Sequence, residues 1–442
     1  MHLSTRSVLS VLSVSVCSCL AQPPAPEARF AAMSKDEVRA FEIEVSEKIA
    51  DLALIPPRLN TNPLPKYDYD QLDYGMTIGI ARTPGGRIYA CWVAGEDGPK
   101  AFFVLNRSDD DGETWSKPCL VIDAHDPARL PAPRGTLVGN LWTDPNGKLH
   151  LFFSQSMTQF DGRAGSWESV CENPDEEKPV WSAPRRIWHG FTLNKPTVLS
   201  TGEWILPISL NRSGGFGPFR GAFKELDPVR GANVFCSTDQ GATWQRQGCV
   251  AYPNPCWDEH MTVERKDGTL WMLARTGKGL MQSLSADRGK TWSEPSAPES
   301  IRQPVARFHI RKLASGRILL VKHGDTADTT DGGKRNKLKA FLSEDDGLTW
   351  KGGLMLDERN GVSYPDGFQA PDGTLYISYD HNRSIGEILM ARFTEDDVLA
   401  GKLTGPKSKL QMLISRPQKN RKGDRPVAPA PLNPEPRTPT PS

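Results

Sequence analysis

The sequence predicts an all-β protein, a six-bladed β-propeller with a short N-terminal helix and a disordered, proline-rich C-terminal tail. From about residue 72, short apolar segments alternate with turns rich in Gly, Asp and Pro, which is typical of many short antiparallel strands. An eight-residue pattern, S-x-D-x-G-x-T-W, recurs four times, and such self-similarity indicates a repeat architecture. The 12 Trp, 39 Gly and 37 Pro agree with a fold of many turns and aromatic anchors.

The first 21 residues are predicted to be a secretory signal peptide. Arg6 precedes an apolar stretch that runs from Val8 to Ala21 and ends in small residues. We therefore expect cleavage after Ala21 and export, either to a periplasm or out of the cell. A lipoprotein anchor at Cys17 or Cys19 and a buried N-terminal strand are the alternatives. Beyond this leader no apolar run reaches 18 residues, so no integral membrane domain is expected.

An amphipathic helix is predicted over residues 34–55. Ser34 and Glu37 form a capping-box pattern at its start. Apolar residues then recur at steps of three and four from Val38 to Leu52, and Pro56 ends the pattern. We expect this helix to pack across the main fold.

The repeats define the propeller, which we expect over residues 70–412. In each copy the Asp side chain is expected to bond nearby backbone amides, the Gly to take a positive φ, and the Trp to anchor the turn against its own sheet. The Trp residues recur every 48 to 66 residues if a degenerate copy at Trp181 is included. Each interval is expected to hold one four-stranded antiparallel sheet, and an unmarked closing sheet makes six. The four full copies are Ser108–Trp115, Ser237–Trp244, Ser285–Trp292 and Ser343–Trp350.

The chain loses its periodicity after about Arg416, and residues 416–442 are predicted to be a disordered tail.

The net charge and the motifs that the sequence lacks exclude several classes of function. There are 54 Lys and Arg against 53 Asp and Glu, a net charge of +1, which argues against a nucleic-acid binder. No zinc, phosphate-loop or dinucleotide fingerprint is present in the sequence, so no metal or organic cofactor is expected. The pairing of the six cysteines beyond the leader, and the oligomeric state, stay open.

The repeats resemble the Asp-boxes, or BNR repeats, of the sialidase superfamily, and the resemblance covers about residues 70–400. It implies a retaining glycoside hydrolase with a Tyr nucleophile, a Glu that activates it, an Asp acid/base and three Arg that hold the substrate carboxylate. The anomeric carbon of sialic acid already carries a carboxylate, so a neutral Tyr avoids the repulsion that an anionic nucleophile would meet. Asp-boxes also occur in propellers that are not enzymes, so the site needs its own argument.

The resemblance assigns most of these roles to residues of this chain. The segment from Trp257 to Glu264 is similar to the one that carries the activating Glu, which implies this role for Glu259. The next strand ends in Arg275, which matches the second Arg of the triad. Arg335, eight residues before the last Asp-box, matches the third. Tyr364, followed by Pro and Asp, resembles the nucleophile segment.

Two roles are less direct. Asp97 resembles the acid/base by its distance from the end of the following strand. The first triad Arg has no counterpart, because Met76 stands at its position. Lys195 and Arg82 are candidates to supply the missing charge, and Met76→Arg is expected to raise activity on sialosides in an otherwise sialidase-like pocket. Asn194, beside Lys195, is expected to contact the sugar. The histidines that are candidates to line the cavity are His189, His260 and His323.

The sequence thus predicts an exported retaining glycoside hydrolase of the sialidase type, which releases a terminal acidic sugar from glycans at the central mouth of the propeller. Two alternatives remain. One is a hydrolase or lyase that acts on a different sugar on the same scaffold. The other is a non-catalytic propeller that binds a glycan or a protein.

Overall fold

The computed structural model of the protein describes residues 33–419, except residues 213, 329, 331 and 332. The predicted signal peptide, residues 1–21, lies outside the described residues, as does most of the predicted tail at 416–442. Within the described part of the chain, no helix is long and apolar enough to cross a membrane.

The predicted N-terminal helix is confirmed as α1 (Lys35–Ala50), followed by a 3-10 turn at Asp51–Leu54. Ser34 caps it, and the backbone N–H of Ser34 donates to the Glu37 carboxylate at 2.7 Å, so both bonds of a capping box form. On the face turned to the propeller, Ser46 is buried and its hydroxyl donates to the backbone carbonyl of Pro218 at 3.0 Å. The helix therefore lies against the edge of the main fold.

The described residues form six antiparallel sheets, which confirms the six-bladed propeller. The first three blades are β1 (Met76–Arg82), β2 (Ile88–Ala94), β3 (Phe102–Ser108) and β4 (Leu120–Ile122); β5 (Arg134–Thr143), β6 (Leu149–Met157), β7 (Ser166–Cys171) and β8 (Arg185–Trp188); and β9 (Thr197–Val198), β10 (Trp204–Leu210), β11 (Gly231–Ser237) and β12 (Gln245–Val250). The last three are β13 (Pro255–Glu264), β14 (Leu270–Thr276) and β15 (Gly279–Ser285); β16 (His309–Lys312), β17 (Ile318–His323), β18 (Leu338–Ser343) and β19 (Lys351–Asp357); and β20 (Val362–Gln369), β21 (Leu375–His381), β22 (Glu387–Phe393) and β23 (Lys409–Ser415). A short helix α2 (Glu395–Ala400) joins the last two strands.

The expectation of four strands in every blade is wrong for the fourth blade, which has three. Where its outer strand is expected, a single bridge joins Gln282 to Ser296. Pro295 and Pro298 flank that bridge. Because proline has no backbone N–H, it cannot continue a strand ladder on either side of Ser296.

Each Asp-box begins at the C-terminal end of the third strand of its blade. The hydrogen bonds predicted for the box are present. In the first box Asp110 accepts from the backbone N–H of Thr114 at 2.9 Å and from its hydroxyl at 2.6 Å. The equivalent bonds occur in the other three boxes. The box glycines have φ between 82° and 89°, a region that L-residues other than glycine adopt at a cost. Trp181 bridges to Cys171 at the corresponding place in the second blade.

The ring closes where the sixth blade meets the first. The backbone N–H of Ile80 on β1 donates to the Asp366 carboxylate on β20 at 3.0 Å. After β23, the N–H of Gln418 donates to the carbonyl of Tyr69 at 2.7 Å. The two ends of the propeller are thus tied together both near its axis and at its periphery.

A buried polar network ties the second blade together. The ring nitrogens of His150 lie 2.7 Å from Glu168 and 3.2 Å from Asp144, and Arg185 donates to Glu168 at 2.8 Å. Burial lowers the pKa of His150, but the bonds to Asp144 and Glu168 and their charges outweigh it. The pKa therefore lies above that of an ordinary histidine.

We expect this histidine to make the stability of the protein depend on pH. Because the folded state holds the His150 proton more tightly than the unfolded state, the stabilisation is complete below the unfolded pKa of about 6.5 and is lost as pH rises through the folded pKa. The Tm difference between wild type and His150→Gln, measured by scanning calorimetry, should therefore shrink as pH rises from about 6 to about 9. His125→Gln is the control. A difference that stays constant over this range would contradict the prediction.

Candidate active site

A cavity of about 180 Å³ opens at one mouth of the central channel, near the starts of the innermost strands β1, β5, β13 and β20. Its lining combines charged and apolar side chains. The charged residues and the tyrosine are Asp97, Glu259, Arg275, Arg335, Tyr364 and Arg383, and the apolar residues include Met76, Leu137, Phe160, Phe191 and Trp257.

A phenol and a carboxylate meet at the bottom of the cavity. The Tyr364 hydroxyl donates to Oε1 of Glu259 at 2.8 Å, and both side chains are buried. Each residue sits in an irregular stretch of its strand, where the pairing register shifts. Tyr364 has φ 55°, and the run Trp257, Asp258 and Glu259 has φ 63°, 55° and 45°. Such bulges re-aim side chains, and backbone strain of this kind clusters at functional sites.

The charge state of this pair follows from its surroundings. Nη1 of Arg275, at the end of β14, donates to the same Oε1 of Glu259 at 2.7 Å. Burial raises the pKa of Glu259, but the charge and the hydrogen bond of Arg275 outweigh it and hold the pKa below its usual value. Burial, and then the Glu259 charge, raise the pKa of Tyr364 to about 12. At neutral pH the site therefore holds a neutral phenol bonded to an ionised carboxylate.

Two further guanidinium groups flank Tyr364. Arg335, in the loop between β17 and β18, donates to the Ser363 hydroxyl at 2.9 Å, and its Cζ lies 6.0 Å from the centroid of the Tyr364 ring. Arg383, just after β21, places its Cζ 4.3 Å from the same centroid. With Arg275, three arginines from three blades converge on one phenol.

Arg383 was not among the residues expected from the sequence. Arg383 lines the same cavity as Met76. The cavity therefore has a third guanidinium, although Met76 stands at the position of the first triad Arg. One signal for it exists. An Asp-Gly-Thr turn begins both β14 and β21, and the chain brings an arginine to the cavity at or just beyond the far end of each strand, Arg275 and Arg383 respectively.

The two cations proposed from the sequence to supply this charge lie elsewhere. Arg82 pairs with Asp111 at the other end of β1. Lys195 is buried and pairs with Asp366 in the channel, beyond the lining of this cavity. Because each is already held by a carboxylate away from the cavity, we no longer assign either of them to carboxylate recognition there.

Asn194 is also buried rather than exposed to the cavity. Its side-chain amide donates to the backbone carbonyls of Glu259 at 3.0 Å and His260 at 2.9 Å. It therefore holds the bulge that carries the carboxylate, instead of offering a contact to a sugar. His260 in turn bonds a backbone carbonyl, and neither it nor His189 or His323 lines the cavity.

Asp97, in the loop between β2 and β3, lines the cavity and is about half exposed. Nη1 of Arg383 donates to its carboxylate at 3.2 Å. The Asp97 carboxylate is thus partly open to solvent and held by Arg383, whereas Glu259 is buried.

A fully buried arginine, Arg307, lies behind the site and was not expected from the sequence. It donates to the backbone carbonyls of Ile78 at 3.0 Å and Leu193 at 2.8 Å, and to the side chain of Asn194 at 2.8 Å. Its Cζ lies 5.6 Å from the Tyr364 ring centroid. Arg307 therefore joins the first, third, fifth and sixth blades across the axis of the propeller.

The chain resembles proteins of known sequence and structure. Residues 86–377 match the family described as BNR repeat-like domain. A sialidase of Bacteroides fragilis (strain YCH46) is 25% identical over 296 residues, which cover 59% of this chain and 50% of that protein. The chain thus spans half the length of this curated relative.

Solved structures with the same fold include the intramolecular trans-sialidase from Ruminococcus gnavus in complex with oseltamivir carboxylate, with a TM-score of 0.58, 15% identity, and coverage of 77% of this chain and 98% of that one. The Hadza microbial sialidase Hz136 matches with a TM-score of 0.57 and 19% identity, over 74% of this chain and 66% of that one. A protein of unknown function from Dyadobacter fermentans matches with a TM-score of 0.51 and 14% identity, over 72% of this chain and 94% of that one. At these identities the likeness establishes the fold alone.

We expect Asn194→Ala to destabilise the protein measurably. The substitution leaves two buried carbonyls without a donor and removes the acceptor used by Arg307, and an unsatisfied buried polar group costs about 1–3 kcal/mol. Urea unfolding measures the loss. The exposed Asn62 offers the control, Asn62→Ala, which should stay near wild type. Equal losses in the two variants would show that Asn194 does not hold the bulge.

Proposed function

This chain belongs to the BNR repeat-like domain family, and from that premise we propose that it is a sialidase-type glycoside hydrolase, which releases a terminal acidic sugar of the sialic acid class from glycans. One observation carries the proposal: the hydrogen bond from Tyr364 to Glu259, set among the guanidinium groups of Arg275, Arg335 and Arg383. The similarity to the sialidase of Bacteroides fragilis supports the same activity.

Recognition of the acidic group falls to the three arginines. Within the described residues, Arg335 pairs with no carboxylate and donates only to a hydroxyl and a backbone carbonyl. The Nε of Arg275 is buried and has no hydrogen-bond partner in the described part of the chain. Both therefore retain donors for a substrate carboxylate, and planar guanidinium groups bind carboxylates in a forked geometry. Arg383 adds a third guanidinium at the same place, which it shares with the carboxylates of Asp97 and Asp380.

The first chemical step uses Tyr364 and Asp97. As Oη of Tyr364 bonds to the anomeric carbon, its proton passes to Oε1 of Glu259, along the hydrogen bond already present. The bond to the aglycone breaks, and its oxygen takes a proton from Asp97. The phenol stays neutral until it attacks, so it is not repelled by the carboxylate on the same carbon.

The second step reverses the first. Asp97, now ionised, takes a proton from a water molecule that attacks the anomeric carbon. The bond to Oη of Tyr364 breaks, and Glu259 returns the proton to the phenolate. Two displacements at one carbon retain its configuration. We further propose that the protein acts after export, as its predicted leader indicates.

Substitution of Tyr364 tests the proposed nucleophile. We expect Tyr364→Phe to abolish turnover of an aryl sialoside, and Glu259→Gln to reduce it by about 10²–10⁴-fold, as for loss of a general base. Tyr376→Phe, on the same blade but outside the cavity, is the matched control. Normal turnover by Tyr364→Phe, or release from uronyl or neutral glycosides in place of sialosides, would overturn the proposal. Glycan binding without any turnover would favour a non-catalytic propeller.

The source of the third positive charge gives a separate prediction. Arg383→Gln should lower kcat/KM on sialosides by about ten- to a hundredfold, the equivalent of one charge-assisted hydrogen bond. Because Arg383 already fills this part of the cavity, Met76→Arg should bring no gain, contrary to the expectation from sequence. Arg82→Gln should leave steady-state kinetics unchanged. A faster Met76→Arg enzyme together with an unaffected Arg383→Gln enzyme would contradict this account.

A further inference from the structure

A second cavity, of about 140 Å³, lies further along the central channel toward its opposite mouth. It is formed by later residues of β13, Met261–Glu264, and by the whole of β16, His309–Lys312. The buried ion pair of Lys195 and Asp366 forms its inner end. The catalytic chemistry proposed above uses none of its side chains.

Polar groups on its wall have no partner within the described part of the chain. Both ring nitrogens of His309, a residue only 3% exposed, make no hydrogen bond. Nδ1 of this histidine lies 3.8 Å from Asp366, beyond hydrogen-bond distance. The buried hydroxyl of Thr262 also has no partner. Buried polar groups are nearly always bonded, so these atoms indicate a ligand or ordered water in the cavity.

The cavity also contains a guanidinium with open donors. Arg311 lines it, and among the described residues its guanidinium makes no hydrogen bond or salt bridge, although the charge of Asp366 acts on it. The two carboxylates on the wall are already engaged. Asp366 pairs with Lys195, while Glu264 accepts from the backbone N–H and the hydroxyl of Ser200 at 2.7 and 2.8 Å.

We propose that this cavity binds a small oxyanion, a carboxylate or a phosphate, between Arg311, His309 and Thr262. The fork of a guanidinium bonds two oxygens of such an anion at once. The Thr262 hydroxyl and one N–H of the His309 ring supply two more donors. The volume far exceeds the roughly 10–15 Å³ that one water needs.

The protonation state of the histidine fits this role. Burial lowers the pKa of His309 to about 3, so the ring is neutral and keeps a single N–H. Burial also lowers the pKa of Arg311, but a guanidinium stays charged in proteins. The positive charge that attracts the anion therefore belongs to Arg311, and His309 contributes a directional hydrogen bond.

Titration calorimetry of the full protein in a chloride buffer tests the proposal, with inorganic phosphate in one arm and acetate in the other. We expect at least one of the ions to bind, and Arg311→Gln to weaken that binding by about ten- to a hundredfold. Arg129→Gln, at a side chain that is 86% exposed and outside the cavity, should bind as wild type does. The arm that responds identifies the class of anion.

Binding must also be separated from binding at the arginines around Tyr364. Arg335→Gln should leave the site intact, and the His309 ring resonances, assigned by comparison with His309→Gln, should shift as the ion is added to wild-type protein. Failure of both ions to bind would overturn the proposal. So would binding that leaves the His309 resonances unmoved, or a His309 response that is unchanged in Arg311→Gln or lost in Arg335→Gln.

Discussion

One oxygen atom, Oε1 of Glu259, accepts hydrogen bonds from both Tyr364 and Arg275. The rest of the candidate site depends on this arrangement. The arginine keeps the carboxylate ionised despite its burial, and the ionised carboxylate orients the phenol. A buried carboxylate without such a partner would take up a proton instead and lose its ability to accept one from Tyr364.

The propeller brings together in one cavity side chains that come from four different blades. Glu259 comes from the fourth blade, Tyr364 and Arg383 from the sixth, Arg335 from the fifth and Asp97 from the first. Inner strands that start around one axis bring these distant parts of the chain together. The strained bulges at Glu259 and Tyr364 persist because buried groups hold them. Asn194 bonds the backbone of the bulge at Glu259, and Arg307 packs against the ring of Tyr364.

Local patterns in the sequence predicted the parts of the structure that depend on local interactions. The Asp-box bonds form within eight residues, so the sequence marked the blades that carry them, and one unmarked closing blade completed the six. Glu259 and Tyr364 lie in short segments that resemble a known family. Arg383 lies in no such segment, and its local signal is the Asp-Gly-Thr turn before its strand. Its place in the cavity also depends on contacts between the sixth blade and the first, such as its bond to Asp97. Lys195 was assigned to the cavity from its local sequence, but it pairs instead with Asp366, 171 residues further along the chain. No local pattern could predict that contact.

The stereochemistry of hydrolysis tests the central claim most directly, since a Tyr364 nucleophile requires two displacements at the anomeric carbon. Proton NMR of the sugar first released from an α-sialoside, recorded before mutarotation, reports its configuration. The account predicts the α-anomer as the initial product. Initial release of the β-anomer would mean a single displacement by water and would contradict a covalent role for Tyr364.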